Sequence, residues 1–278
     1  MKKVFALTAV IALVLCMGIT AFAADVATPW DDSNLKISVC EPFKNSDGIT
    51  GGFIGAGNTA VTKDDLANYV DFTKGSAVFG DAALAQVWVG ILDSNLKNAA
   101  VDADGFGFYV KNGNDEEVAF TMELVTAEDG NMNNGAYTIG SNKDYALISK
   151  DGKKTVVTAL EQKHPYNADL VVHSNFVIPA GFEGWVCIPV ANLQKNYAAE
   201  TFVGDDAASK LTGFGWMNSN GKANLTFDNL FFYGSKVTEK DADLVMDGPA
   251  ATADVTTIAF AAAALVSCGA LTVVKKRK

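Results

Sequence analysis

Arginine is almost absent from this chain. Its 278 residues carry 22 basic side chains, but the only arginine is Arg277, and there are two histidines, His164 and His173. A surface without guanidinium forks has little with which to grip phosphates, so nucleic acid is excluded as an expected partner. Cysteine is scarce too. Of the four, Cys16 and Cys268 lie in apolar end runs, which leaves Cys40 and Cys187 between them. That is no disulfide framework, and the Cys and His positions lack zinc spacing. Whether Cys40 and Cys187 pair stays open. No Gly-x-Ser-x-Gly elbow and no His-Glu-x-x-His motif occurs. Carboxylates such as Glu116, Glu117 and Glu123 prove nothing in an acidic chain, because hydrolysis needs two at a set separation in space. No catalytic residue is assigned, and the chain is read as a protein without enzymatic activity.

Long uncharged runs are confined to the two ends. Lys2 and Lys3 precede an apolar run from Val4 to Ile19 and the small-x-small exit Ala21-Phe22-Ala23. This pattern is a signal peptide, residues 1–23, with the mature chain starting at Ala24. Leu15 before Cys16 argues against a lipoprotein. At the other end, Val255 to Val274 holds no charge and is followed by Lys275, Lys276, Arg277 and Lys278. As a helix this run reaches about 30 Å, enough to cross the hydrocarbon layer, and the basic tail stays cytoplasmic. The expected layout is a transmembrane anchor over 255–274 with a cytoplasmic tail over 275–278. Pro249-Ala-Ala-Thr252-Ala253-Asp254, the apolar span and the basic tail together resemble the sortase sorting signals of Gram-positive surface proteins. Here one extra residue separates Pro from Thr, and Ala253 stands where that family has glycine. Processing by a sortase stays open, whereas membrane anchoring is expected. The resulting location is the extracellular face, anchored in the plasma membrane or cell wall.

Between these ends the balance of charge is one-sided. All 32 acidic residues lie in 24–254 against sixteen lysines, a net charge of −16. Such a surface suits solubility, neutral glycans and cations. Asp-Gly and Asn-Gly pairs punctuate the segment at 47, 104, 112, 129, 134, 151 and 220, the chemistry of tight hairpins. Between them lie runs with a period of two. Val118, Phe120, Met122 and Leu124 alternate with more polar residues, as do Phe106, Phe108 and Val110, and Val87 and Val89 flank Trp88. Further strands are expected at 35–40, 144–149, 155–160, 170–178, 185–190, 211–217 and 224–233, with short helical turns at 63–69 and 191–197. The fold class is all-β, an antiparallel β-sandwich over 24–234. Residues 235–254 lose the pattern and read as a flexible stalk.

Three segments carry a family resemblance: Gly105-Phe-Gly-Phe-Tyr-Val-Lys-Asn112, Phe176-Val-Ile-Pro-Ala-Gly-Phe-Glu-Gly-Trp-Val-Cys-Ile-Pro189 and Leu225-Thr-Phe-Asp-Asn-Leu-Phe-Phe-Tyr-Gly234. They resemble the galactose-binding-like jelly rolls found as carbohydrate-binding modules in bacterial surface proteins and glycoside hydrolases. The resemblance spans roughly Asp104 to Gly234 and implies a jelly roll. It also implies a structural Ca²⁺, with Asp228 in the position of the family's metal-binding acid and Glu41 or Asp47 as candidate further ligands. Alternation supplies the candidate sugar platform. Trp88, Tyr109 and Trp185 stand opposite apolar core positions, His173 joins them if its strand has no bulge, and Glu123 and Glu117 are polar company. Trp216 alternates with Phe214 and reads as core, and Trp30 lies in a loop-like stretch. The function expected is a surface-anchored, non-catalytic module that binds a poly- or oligosaccharide. The alternatives are a structural or adhesive protein making protein contacts, and a glycan-active hydrolase.

Overall fold

The period-two runs form strands that bury one face each in a common core. A computed structural model describes residues 25–54, 59–79, 86–91, 95–126, 136–164, 167–195, 202, 208–218 and 224–246. The expected signal peptide, membrane span and basic tail lie outside these residues. Among the described residues no helix is long and apolar enough to cross a membrane.

The strands, in chain order, are β1 Lys36–Glu41, β2 Ile49–Ile54, β3 Thr59–Val61, β4 Val70–Asp71, β5 Ala77–Phe79, β6 Gln86–Ile91, β7 Gly105–Asn112, β8 Val118–Thr126, β9 Ala136–Ile139, β10 Asp144–Ser149, β11 Lys154–Thr158, β12 Leu160–His164, β13 Asn167–Ile178, β14 Glu183–Pro189, β15 Leu193–Lys195, β16 Leu211–Asn218 and β17 Leu225–Gly234. Three short helices are α1 Lys63–Leu66, α2 Asn95–Val101 and α3 Asp243–Met246. Every ladder between strands is antiparallel, and they form two sheets. The first runs β11-β10-β14-β7-β17-β5-β4, with β1 also on β17. The second runs β12-β13-β8-β16-β6-β2-β3, with β9 on β8 and β15 on β9.

Successive long strands change sheet. β7 lies in the first sheet, β8 in the second, β10 in the first, β13 in the second, β14 in the first, β16 in the second and β17 in the first. The connections between them therefore arch across the sandwich instead of closing hairpins, which corrects the reading of the turn pairs. Asp151-Gly152 does close a hairpin between β10 and β11, with Gly152 at φ 82°. Gly105 instead opens β7. Gly113 begins the arch to β8, where an added Cβ would lie 2.5 Å from the Asn224 side chain. Asn112, buried on this arch, accepts from the Asn114 N–H through its carbonyl, and its amide nitrogen reaches the carbonyls of Glu116, Ile178 and Pro179.

The core between the sheets is aromatic. Phe106 stacks on Phe214 at 5.3 Å between ring centroids, and Phe108 meets Phe176 edge-on at 5.9 Å. Phe120 meets Phe227 at 5.1 Å. Each such side chain contributes about 1.5–3 kcal/mol by leaving water. Tyr145 on β10 ties the sheets by a polar contact as well, since its hydroxyl accepts from the Val177 N–H at 2.9 Å. Burial pushes that hydroxyl up to about 12.

A second apolar cluster covers the outer face of the first sheet. On β7 the phenylalanines point inward while Gly105 and Gly107 point outward. The register sets Tyr233 beside Gly105 and Phe231 beside Gly107. A Cβ on either glycine would come within 2.0–2.3 Å of those rings, so glycine makes the room the rings occupy. Over them lie Val26 and Trp30 from the start of the described chain, and Leu244 and Val245 from its end. Lys240 forms a parallel bridge with Ser38, and Val237 and Val245 are fully buried. The stalk expected from residue 235 is thus packed on the sandwich as far as Met246, because its scattered apolar residues fit a face that has no other cover. Cys40 faces the inter-sheet core and Cys187 the outer cluster, on opposite faces of one sheet, so the two form no disulfide with each other.

Candidate functional site

Five of the residues singled out in the sequence fall into two rows, one on each outer face. On the first sheet the register aligns Ile148, Trp185, Tyr109 and Asp228 across β10, β14, β7 and β17. This face is occupied by the chain itself. Trp185 is only 4% exposed. Trp30 lies on it at 5.3 Å and Tyr109 meets it edge-on at 5.6 Å. In this arrangement Trp185 offers no face to a ligand, because the N-terminal segment has taken it.

Tyr109 is half-buried at the rim of the same cluster. Its hydroxyl donates to Glu183 Oε1 at 2.7 Å. Glu183 also receives Lys111 Nζ at 3.2 Å and pairs closely with Lys150. The Lys150 ammonium, followed by the Tyr109 hydroxyl, holds the Glu183 carboxyl down at about 2. Burial, with Glu183 beside it, raises the Tyr109 hydroxyl well above its ordinary value. The sequence reading missed this network. Lys111, Glu183 and Lys150 belong to three chain segments, and only the register Glu183↔Lys111 brings two of them level.

Asp228 sits where β17 bulges between its pairs with Tyr109 and Gly107. The next residue, Asn229, has φ 43°, and its N–H donates to Asp228 Oδ1 at 2.8 Å. Burial raises the Asp228 carboxyl to about 6, against the pull of that hydrogen bond and of Lys44. A Ca²⁺ ligand needs company of its own charge, and among the described residues no three acidic, His or Cys side chains gather into a metal site. Of the other candidate ligands, Asp47 is exposed. The Glu41 carboxylate is engaged with the Phe43 N–H at 2.7 Å, holding that residue at φ 47°.

The second sheet has a different floor. Across β8, β16, β6 and β2 the register aligns Glu123, Gly215, Trp88 and Phe53. Gly213 and Gly90 pair directly in the neighbouring row of the same face. Trp88 and Glu123 stand two strands apart, about 10 Å along the hydrogen-bonding direction. Three glycines inside two paired central strands weaken a sheet and mark a place where something approaches the backbone closely. Glu123 is buried, and so are its neighbours on that face, Thr121 and Thr138. His173 pairs with Gln162 of β12, beyond the ladder of β13 with β8. Glu117 lies exposed just before β8. The signal that could have found this floor was in the sequence: Gly213 and Gly215 bracket Phe214, so an inward phenylalanine implies two outward glycines.

No family model matches the chain, and no curated protein matches it. Three solved structures show a distant likeness. They are the binding domain of botulinum neurotoxin DC in complex with SialylT (TM-score 0.28, 11% identity), the same domain in complex with rat synaptotagmin II (0.27, 12%), and a crystal structure of HCR/D-Sa-GBL1/C (0.27, 12%). Each match covers 72% of this chain, which spans about half of those chains, 51%. At TM-scores this low the likeness carries no argument, so the β-sandwich stands on the strand pairing of this chain alone.

Proposed function

We propose that this chain is a non-catalytic binding module of the galactose-binding-like jelly-roll type, which takes a glycan on the outer face of its second sheet and is held at a cell surface by its C-terminal run. The alternation of long strands between two antiparallel sheets supports the fold type. The binding reading rests on one observation. Glu123, Gly215 and Trp88 share a row across three central strands, with Gly90 and Gly213 beside it. A pyranose is bound by one aromatic face and by polar groups that reach its hydroxyls. This row supplies both residue types about 10 Å apart, with Gly215 between them in the register. The outer face of the first sheet is covered by the chain's own segments, and on the second sheet Glu123 is itself buried.

The test is affinity electrophoresis of residues 24–246 against a panel of soluble polysaccharides. The parent is expected to be retarded by at least one of them. Trp88→Ala and Glu123→Gln are expected to lose binding at least tenfold while remaining folded by thermal melting. Failure to bind any glycan, with both variants indistinguishable from the parent, sinks the reading. The anchor is tested separately by fractionating cells that express the full chain or a chain ending at Asp254, which is expected to appear in the medium.

A further inference from the structure

We propose that the loop carrying Trp30 is a displaceable cover over a second glycan surface, formed by Trp185 and Tyr109 on the first sheet. The proposal does not depend on the site on the second sheet. Three observations support it. First, the Trp30 ring covers Trp185, packed on it at 5.3 Å with the planes tilted by 50°, and lies edge-on to Phe231 at 6.4 Å. Around it the loop is polar: Asp31, Ser33 and Asn34 are exposed. The segment packs on the face through Val26, Trp30 and Leu35, and the Tyr233 hydroxyl donates to the Ala27 carbonyl at 3.3 Å.

Second, that packing is imperfect in a specific way. The indole N–H groups of both Trp30 and Trp185 are buried and have no acceptor among the described residues. Well-formed interiors satisfy their donors, and leaving two unmet on adjacent rings is costly. A hydroxyl-rich ring stacked on Trp185 would bring acceptors that an indole lacks. Tyr109 at the rim, with Glu183 accepting from its hydroxyl, would extend the platform.

Third, the cover is pinned by ionic contacts. Lys154 on β11 donates to Asp31 at 2.5 Å and to Asp25 at 2.8 Å, and Thr28 donates to Asp31 at 2.8 Å. Both aspartates are exposed, with side-chain accessibilities of 41% and 90%. Lys154 itself is 21% exposed; ion pairs open to water on the aspartate side weaken in salt, so they suit a latch more than a permanent staple.

The experiment uses the full chain carrying Trp88→Ala, or Glu123→Gln if that variant folds better, so that the second-sheet site is silent. Into this background Lys154→Ala is introduced, and separately Trp30→Ala. Hydrogen exchange over residues 26–35 reports opening. Affinity electrophoresis in soluble galactan, mannan and β-glucan reports binding. Lys154→Ala is expected to speed exchange in the loop at least tenfold, and both variants are expected to gain retardation in at least one polysaccharide. Added Trp185→Ala should abolish that retardation. Unchanged exchange in Lys154→Ala would show that the loop is permanent packing. Faster exchange with no gain of binding in either variant would show that nothing is recognised beneath it. Either result overturns the proposal.

Discussion

At the scale of single residues, glycine and one half-buried carboxyl decide more than their size suggests. Gly184 on β14 faces the Ile148 carbonyl, and a Cβ there would lie 2.1 Å from that oxygen. Backbone cannot swing aside as a side chain does, so Gly184→Ala is expected to cost about 2–3 kcal/mol in urea unfolding. Gly107→Ala meets the Phe231 ring and is expected to cost less, about 1–2 kcal/mol, because a ring can tilt. Asp228 provides a pH test. Its carboxyl titrates near 6 in the folded protein and near its ordinary 3.8 when unfolded. Between those values the folded state holds a proton that the unfolded chain has released. Stability therefore falls as pH rises through about 4 to 6 and stays lower above. Two pKa units set a ceiling of about 3 kcal/mol, and the partial exposure of the group brings the expectation to about 1–2 kcal/mol. Asp228→Asn should be more stable than the parent by that amount at pH 7 and equal to it at pH 4. A difference that persists at pH 4 would point to packing instead of titration.

At the scale of elements, the long strands were legible and the short ones were not. Asp144–Ser149 was expected and found with the same bounds, and β8, β13, β14, β16 and β17 differ from expectation by a few end residues. Their alternation reports one buried face, which is what a sandwich strand has. β3, β4 and β5 have two or three residues each, too few to show a period. The helical turn expected over 191–197 gives only a 3-10 turn at Val190–Asn192 before β15, because the chain there returns to pair with β9. The segment after Gly234 is the clearest difference. Val237 and Val245 are buried, although the sequence around them looks like a stalk. Ending the chain at Gly234 removes both and uncovers Phe231 and Tyr233. Loss of about 3 kcal/mol is expected, with a melting temperature lower by roughly 6–12 °C and new binding of a hydrophobic dye. An unchanged melt would show that this segment only rests on the sheet.

For the whole molecule, the two sheets divide the work. The first sheet is closed over by both terminal segments of the described chain, and the second carries the glycine floor. This predicts a split between two tryptophans that look alike in the sequence. Trp185→Ala should lower stability, by about 3–5 kcal/mol for a buried indole, and leave polysaccharide binding at the second sheet intact. Trp88→Ala should lose retardation while the protein stays folded. If Trp185→Ala abolishes binding while the protein stays folded, the recognition face has been assigned to the wrong sheet. The charge of the molecule bears on the same scale. With sixteen lysines against 32 acids in 24–254, binding to a neutral polysaccharide should change little with salt.

The sequence by itself determined the strand class, the inward phenylalanines, the acidic surface and the expectation of apolar runs at both ends. Each of these is a local property, written in a period of two, a count of charges or a length without them. It also named Trp88, Glu123, Tyr109, Trp185 and Asp228, but as five separate positions. Tertiary structure decided that Tyr109, Trp185 and Asp228 share one row and that Trp88 and Glu123 share another, on the opposite face. It also decided that Trp30 closes over Trp185 and that Cys40 and Cys187 stay apart. The reason is that register between strands distant in the chain, and the choice of segment that covers a sheet, depend on partners which no local pattern records.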